Sequence, residues 1–359
     1  AWEASLSPVS GPAALILPAD TAWLEGGKPG AKRARPMLRA PDAQRVEDAV
    51  KAIKAAKKPM VLINGTALTE AGLATAARLK AAGVRVMTDT FFPRQARGAG
   101  RFVPDRMQYF AEGAMADLEG CDLMLVAGTL VPEGCSTMII GGPESDSAAI
   151  LGALADGLGA KEASPFAALE QPGTPKGALN AASVGASIAR HLPEGSFVSD
   201  DGVSNGLPAF LMTQKAKPHD WMMLTGGAIG QGMPLALGAA LAAKDRKVLC
   251  LTGDGAAMYT NQSLWSMARE GVDVVTVVFV NHSYRILNIE LARTGAGNPG
   301  PTAKSMLELD QPEIDWVALS QSMGVPAVAV ETAEAFDAAL ERAFAAEGPQ
   351  LIAAHVPAR

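Results

Sequence analysis

Residues Asp273-Val-Val-Thr-Val-Val-Phe-Val-Asn281 form an unbroken, largely β-branched run. Such a run belongs to a strand covered on both faces, the position of an inner strand in a parallel sheet flanked by helices. A second apolar strand, Arg246-Lys-Val-Leu-Cys-Leu-Thr252, precedes it, and a helix from about Asn261 to Glu270 lies between the two. This strand–helix–strand order predicts an α/β chain built on doubly wound parallel sheets. In such sheets ligands sit outside the carboxyl ends of the strands, and two polar groups stand at those ends. One is Asp254, within Gly253-Asp254-Gly255; the other is Asn281, 27 residues later. The flanking glycines let the chain turn sharply and approach a ligand closely. A carboxylate and an amide oxygen are hard ligands suited to Mg²⁺ or Ca²⁺, which completes its shell with diphosphate oxygens and water.

Strand and helix patterns alternate in two blocks. The first holds Pro59–Asn64, an Ala-rich helix from Glu70 to Ala82, then Val84–Thr88, Asp122–Ala127 and Thr137–Ile140. Periodicity lapses across 161–176, where Pro165, Pro172, Gly173 and Pro175 mark a linker. The expected division is 1–25 as a leading remnant, 26–160 as a first domain, 161–176 as the linker and 177–359 as a second domain carrying the motifs.

With 359 residues, 48% hydrophobic and 19% charged, the chain can bury more than one core. A net charge of −6 and the lack of a long basic run exclude a phosphate-tracking nucleic-acid surface. No apolar run is long enough for a membrane span and the start shows no basic-then-apolar leader, so a cytoplasmic location is the default expectation. Cys121, Cys135 and Cys250 lack C-x-x-C spacing and are expected to be free thiols.

The combination of Gly253-Asp254-Gly255, the spacer and Asn281 resembles the thiamine diphosphate (ThDP) dependent enzymes of the pyruvate decarboxylase, benzoylformate decarboxylase and acetolactate synthase group. The family usually doubles the asparagine, whereas here Val280 precedes Asn281 and His282 follows it. The resemblance implies Asp254, Asn281 and the Ser283 carbonyl as Mg²⁺ ligands, with Gly253 and the backbone N–H groups of Gly255 and Ala256 at the diphosphate. Thr225-Gly-Gly-Ala-Ile-Gly-Gln-Gly-Met-Pro234 resembles the loop that wraps the cofactor rings. Within it, Ile229 matches the wedge that holds ThDP bent, and Gly227 the carbonyl that accepts the 4′-amino hydrogen bond; these two are the implied catalytic positions. Ser199-Asp-Asp-Gly-Val-Ser-Asn-Gly206 resembles a second diphosphate loop, with Ser204 and Asn205 as donors. Trp265 and Tyr284 match the decarboxylase pattern, and Tyr284 joins the cofactor-binding set. Ile286, Leu287 and Glu290 fall on the stretch that lines the substrate pocket in relatives, and His219 is a further substrate candidate.

The activity so implied is ThDP- and Mg²⁺-dependent decarboxylation of a 2-oxo acid, or carboligation through the cofactor carbanion. Ile229 and Leu287 lean toward benzoylformate-decarboxylase-like chemistry, while the texture after the metal motif resembles acetolactate-synthase-like proteins. The family builds its sites between subunits, which implies a homodimer or homotetramer. Ser7 to Asp20 looks like the last strand of the family's pyrimidine-binding domain, so a truncated chain is expected, with the activating glutamate outside it and the fragment inactive alone. His282 is expected to point away from the ion.

Other readings stay open. A catalytically silent binding or regulatory subunit would keep the same fold, and a split enzyme would carry the pyrimidine domain on another chain. Gly202-Val-Ser-Asn-Gly206 matches the nucleophile elbow G-x-S-x-G, making Ser204 a hydrolase candidate with Asp254 and His282 or His355. Gly295-Ala-Gly-Asn-Pro-Gly300 matches G-x-G-x-x-G but follows a helix and reads as a loop.

Overall fold

The computed structural model describes residues 2–6, 13–31, 34, 36–129, 137–163, 166, 168–296 and 299–357. The chain falls into two compact units, Ala1–Thr90 with Pro104–Ser164, and Phe91–Val103 with Pro165–Arg359. Its strands are β1 (Pro59–Ile63), β2 (Arg85–Thr88), β3 (Gln95–Arg97), β4 (Asp105–Arg106), β5 (Leu123–Ala127) and β6 (Thr137–Gly141), then β7 (Phe197–Asp201), β8 (His219–Met223), β9 (Val248–Gly253), β10 (Val274–Val280), β11 (Ala327–Val330) and β12 (Gln350–His355).

In the first unit β4-β2-β1-β5-β6 form one parallel sheet. Every residue of β1 is buried, as its unbroken apolar sequence requires. Met60, Leu62, Met87, Met124 and Val126 cluster in one layer of its core. Helices Ala43–Ala55, Glu70–Ala81 and Ser147–Gly157 are each started by a side chain that accepts a backbone N–H of the first turn: Asp42, Thr69 and Asp146 respectively.

The second unit carries a seven-stranded sheet in the order β11-β12-β10-β9-β7-β8-β3. Its pairings are parallel except for β3, which runs antiparallel to β8. All seven residues of β10 are buried between β9 and β12, the double coverage that its sequence demanded. The small-residue helix Gly232–Ala242 packs through Met233, Ala236 and Ala240 onto Val248, Cys250 and Val278 in one core cluster. β7 leads on to β8 at one side while β9 lies at its other side, so the winding reverses between β7 and β9. Open α/β sheets bind ligands at such a reversal.

Three expectations are corrected. Ala13–Pro18 forms no strand, and Leu15, Ile16 and Leu17 are exposed; no described strand pairs with it, and an unpaired strand leaves its backbone groups unmatched. Residues 91–103 belong to the second unit, because β3 pairs with β8 across a register of Gln95 with Trp221. β7 runs to Asp201 and so takes in the first three residues of the Ser199–Gly206 stretch expected as a loop, which brings two carboxylates to its end. Among the described residues no helix is long and apolar enough to cross a membrane. Cys121 is half-buried and Cys250 buried, both free thiols, and burial pushes the Cys250 thiol well up. Cys135 lies outside the described residues, as do Gly297 and Asn298 of the Gly295–Gly300 loop.

Candidate functional site

The register of the second sheet assembles the site. Asp201 pairs across to Thr252, and Phe279 to Gly253, so the ends of β7, β9 and β10 stand side by side. An open pocket lies over them. Gly202, Val203, Ser204 and Asn205 follow β7, Gly253 ends β9 and Asp254 to Ala256 follow it, and Asn281 with Ser283 to Ile286 follow β10; Ile229 completes the wall.

Asp254 is the hub. It is buried, with Oδ1 accepting the Gly255 N–H at 2.9 Å and Oδ2 accepting the N–H groups of Asn281 at 3.0 Å and His282 at 2.7 Å. Burial pushes its carboxyl above the ordinary value, while the three N–H donors pull the other way. Asn281 is also buried, and its Oδ1 accepts the Ser283 N–H at 3.0 Å, closing a tight Asx turn. The Ser283 carbonyl accepts the Arg285 N–H at 2.9 Å. Backbone at both sides of the pocket is strained: Val203 has φ +45° and His282 φ +54°. Left-handed backbone is costly for a β-branched valine, and such residues concentrate at functional sites.

The loop after β8 needs its glycines. Gly226 and Gly227 have φ +68° and +69°, a double left-handed turn that residues with a Cβ resist. The Gly227 carbonyl accepts the Ile229 N–H at 3.1 Å, and Ile229 stays 37% exposed at the pocket wall. Asp201 clamps this loop from below, with Oδ2 accepting the N–H groups of Gly230 at 2.8 Å and Gly232 at 3.2 Å. Its Oδ1 is buried with no hydrogen-bond partner, and burial raises its pKa to about 6, with Asp200 adding to the rise. Asp200 instead accepts the Gly202 N–H at 3.0 Å and the Trp221 indole N–H at 3.2 Å, holding the turn that carries Ser204.

The pocket brings together Ser204, Asn205, Ile229, Gly253, Asp254, Gly255, Ala256, Asn281, Ser283, Tyr284 and Ile286. Gly227 stands two residues from Ile229 but is not part of the wall. Leu287 is exposed, and Glu290 pairs with Arg293, so neither lines it. His219 is misplaced by the expectation. It opens β8, at the end of the sheet away from the pocket, where its Nδ1 lies 2.8 Å from the Lys217 carbonyl and burial lowers its pKa to about 3. The Ser204 hydrolase arrangement is not assembled: Asp254 serves three backbone N–H groups, and the His282 ring faces Glu313. Asp201, its partners 29 and 31 residues away, had no local sequence cue beyond its acidity.

The residues fit a diphosphate and a hard cation. A Cβ built on Gly253 would meet no protein atom within 4 Å, so the glycine leaves room in the pocket wall. A Cβ on Gly255 would lie 2.5 Å from the Tyr284 ring, so the turn and the tyrosine are packed against each other without slack.

Residues 204–354 match the family model described as the C-terminal TPP binding domain of thiamine pyrophosphate enzymes. IlvX of Mycobacterium tuberculosis, which bears the name of an acetolactate synthase large subunit, is 41% identical over 96% of this chain and 70% of its own length. A benzoylformate decarboxylase of Pseudomonas aeruginosa is 36% identical over 38% of this chain and 24% of its own length. The structure of a ThDP-dependent 4-hydroxybenzoylformate decarboxylase of Rhodococcus jostii superimposes with a TM-score of 0.72, at 23% identity, over 95% of this chain and 68% of that one. Asp254 and Asn281 side by side at the ends of β9 and β10, next to the winding reversal, and a relative matched over most of both lengths, place the chain in the thiamine diphosphate-dependent enzyme family.

Proposed function

We propose that the second unit holds the diphosphate of ThDP through Mg²⁺, and that the protein decarboxylates a 2-oxo acid, the step shared by benzoylformate-decarboxylase-like and acetolactate-synthase-like chemistry. The observation that supports this reading most is the convergence of Asp254, Asn281, Ser283, Ser204 and Ile229 on one pocket at the ends of three adjacent strands. Asp254 and Asn281 would ligate the cation through side-chain oxygens and Ser283 through its carbonyl, an all-oxygen set suited to Mg²⁺. The Gly255 and Ser283 positions are already fixed by hydrogen bonds to Asp254 and Asn281, so the ligands are pre-organised. Ser204, Asn205 and the Ala256 N–H would face the phosphates. Bound ThDP supplies the electron sink for loss of CO₂. Ile229, projecting from a loop anchored by Asp201, would hold the cofactor rings bent, and Gly227 would orient the aminopyrimidine. Tyr284 and Ile286 would border the substrate, whose apolar portion faces Ile286 rather than Leu287 or Glu290. The first unit corresponds in this reading to the family's middle domain, and the assembly is a homodimer or homotetramer.

Calorimetric titration with ThDP tests the core of the reading. Binding should require a divalent cation and should be lost in Asp254→Ala; ThDP affinity unchanged by that substitution would refute it. A panel of benzoylformate, pyruvate and related 2-oxo acids, assayed for CO₂ release in the assembled enzyme, then identifies the substrate class.

A further inference from the structure

The turn after β10 separates its side chains. Asn281 and Ser283 line the pocket, but His282 between them does not. With φ +54°, its backbone sends the chain through a left-handed step. Its ring lies 5.8 Å from the ring of His355, at the end of β12, and its Nε2 lies 3.5 Å from a carboxylate oxygen of Glu313. One ligand atom from each of His282, Glu313 and His355 falls within 4.8 Å of the others.

The backbone around this group is fixed. His355 stands in register with Val280, and the Val356 N–H donates to the Val280 carbonyl at 3.0 Å. The His282 carbonyl accepts the Leu309 N–H at 2.8 Å, Ser283 bridges Glu308, and Asp310 bridges Glu313. Three segments distant in sequence thus present two imidazoles and a carboxylate from anchored positions. The ligands of a tetrahedral site with metal–nitrogen bonds of about 2.0 Å stand roughly 3.3 Å apart, so small side-chain rotations close the group around an ion. The contact between His282 and Glu313 alone gives no reason for a second imidazole beside them.

We propose that His282, Glu313 and His355 form a second metal site for a zinc-type divalent cation, separate from the Asp254 site and of different chemistry. Two nitrogens and one oxygen suit borderline transition metals, whereas Mg²⁺ takes an all-oxygen shell. Water fills the fourth position. The ion ties the loop at 307–313 and the end of β12 to the turn that carries Asn281 and Ser283. Occupancy therefore steadies the proposed Mg²⁺ ligands without touching the cofactor.

The test is titration of the metal-stripped full chain with Zn²⁺, in millimolar Mg²⁺, by calorimetry. One Zn²⁺ should bind despite the excess Mg²⁺, with affinity reduced tenfold or more in His355→Gln and in Glu313→Gln. Co²⁺ in the same site should show the intense visible bands of four-coordinate geometry, absent from an octahedral oxygen site. The proposal is overturned if the parent binds no Zn²⁺ or if Glu313→Gln keeps parent affinity. Glu313 lies on an exposed loop, so its variant decides the matter even if His355→Gln fails to fold. Loss of Zn²⁺ binding in Glu313→Gln with ThDP binding retained separates this site from the cofactor reading.

Discussion

Replacing Asp201 with asparagine should raise the stability of the protein relative to the parent as pH increases from about 4 to 7. The carboxylate ends β7, is 1% exposed, and has one oxygen shared by the Gly230 and Gly232 N–H groups and one with no partner. Burial is the dominant cause of a rise in its pKa from 3.8 to about 6. At 1.36 kcal/mol per pH unit, that displacement corresponds to about 3 kcal/mol of cost for holding the charged form in the fold. The folded-state pKa lies above the unfolded value, so between 3.8 and about 6 the folded chain binds more protons and stability falls as pH rises. The cost is absent below this window and complete above it.

Asparagine carries no charge, and its amide oxygen can still accept the two N–H groups. The difference in unfolding free energy, variant minus parent, should therefore climb by about 3 kcal/mol across the window. Any constant term from altered hydrogen bonding shifts the whole curve and leaves its slope intact. His219, whose pKa is lowered to about 3, contributes acid sensitivity of the opposite sense but is common to both proteins and cancels. Urea unfolding of the two proteins at a series of pH values between 4 and 7.5 gives the curve, with equal m-values confirming that the same surface is exposed. A flat difference would show that Asp201 is as well solvated in the fold as in the unfolded chain, and would refute the burial argument.

The wedge reading of Ile229 predicts that Ile229→Ala lowers kcat about tenfold or more by letting the cofactor rings relax, while Ile229→Leu and Ile229→Met stay near the parent; steady-state kinetics of the assembled enzyme decide it. Gly255→Ala should force Tyr284 away from the turn, costing about 1–3 kcal/mol of stability in chemical unfolding and weakening ThDP affinity in the same titration used for Asp254→Ala. His219→Asn should leave kcat unchanged, since His219 stands at the far end of β8. The same variant should flatten the stability loss between pH 6.5 and about 3, where the unfolded parent takes up a proton that the buried imidazole refuses; persistence of that loss would place the acid sensitivity elsewhere.

Sequence carried the parts of the site that local chemistry dictates. A run such as Val274–Val280 can only be an inner strand, glycines around Asp254 can only mark a tight turn, and both sit where a parallel sheet presents its ligands. What failed to show was whatever depends on which strand lies beside which. His219 is close in sequence to the Thr225–Gly227 loop, yet the length of β8 puts it at the opposite end of the sheet. Residues 91–103 read as part of the first block because sequence order gives no hint that β3 turns back onto β8. The Asp201 clamp exists only because the β7–β8 pairing sets the end of β7 beside the loop after β8, and the His282–Glu313–His355 group because the β10–β12 pairing and the Ser283–Glu308 bridge bring remote positions together. These two groups adjoin two irregular segments of the site, the glycine-rich loop and the turn after β10. A glycine-rich loop that must hold Ile229 upright needs an anchor from outside itself. A buried carboxylate beneath two of its N–H groups supplies that anchor at a cost in charge burial, which is why the pH dependence of Asp201 reports on the positioning of the wedge.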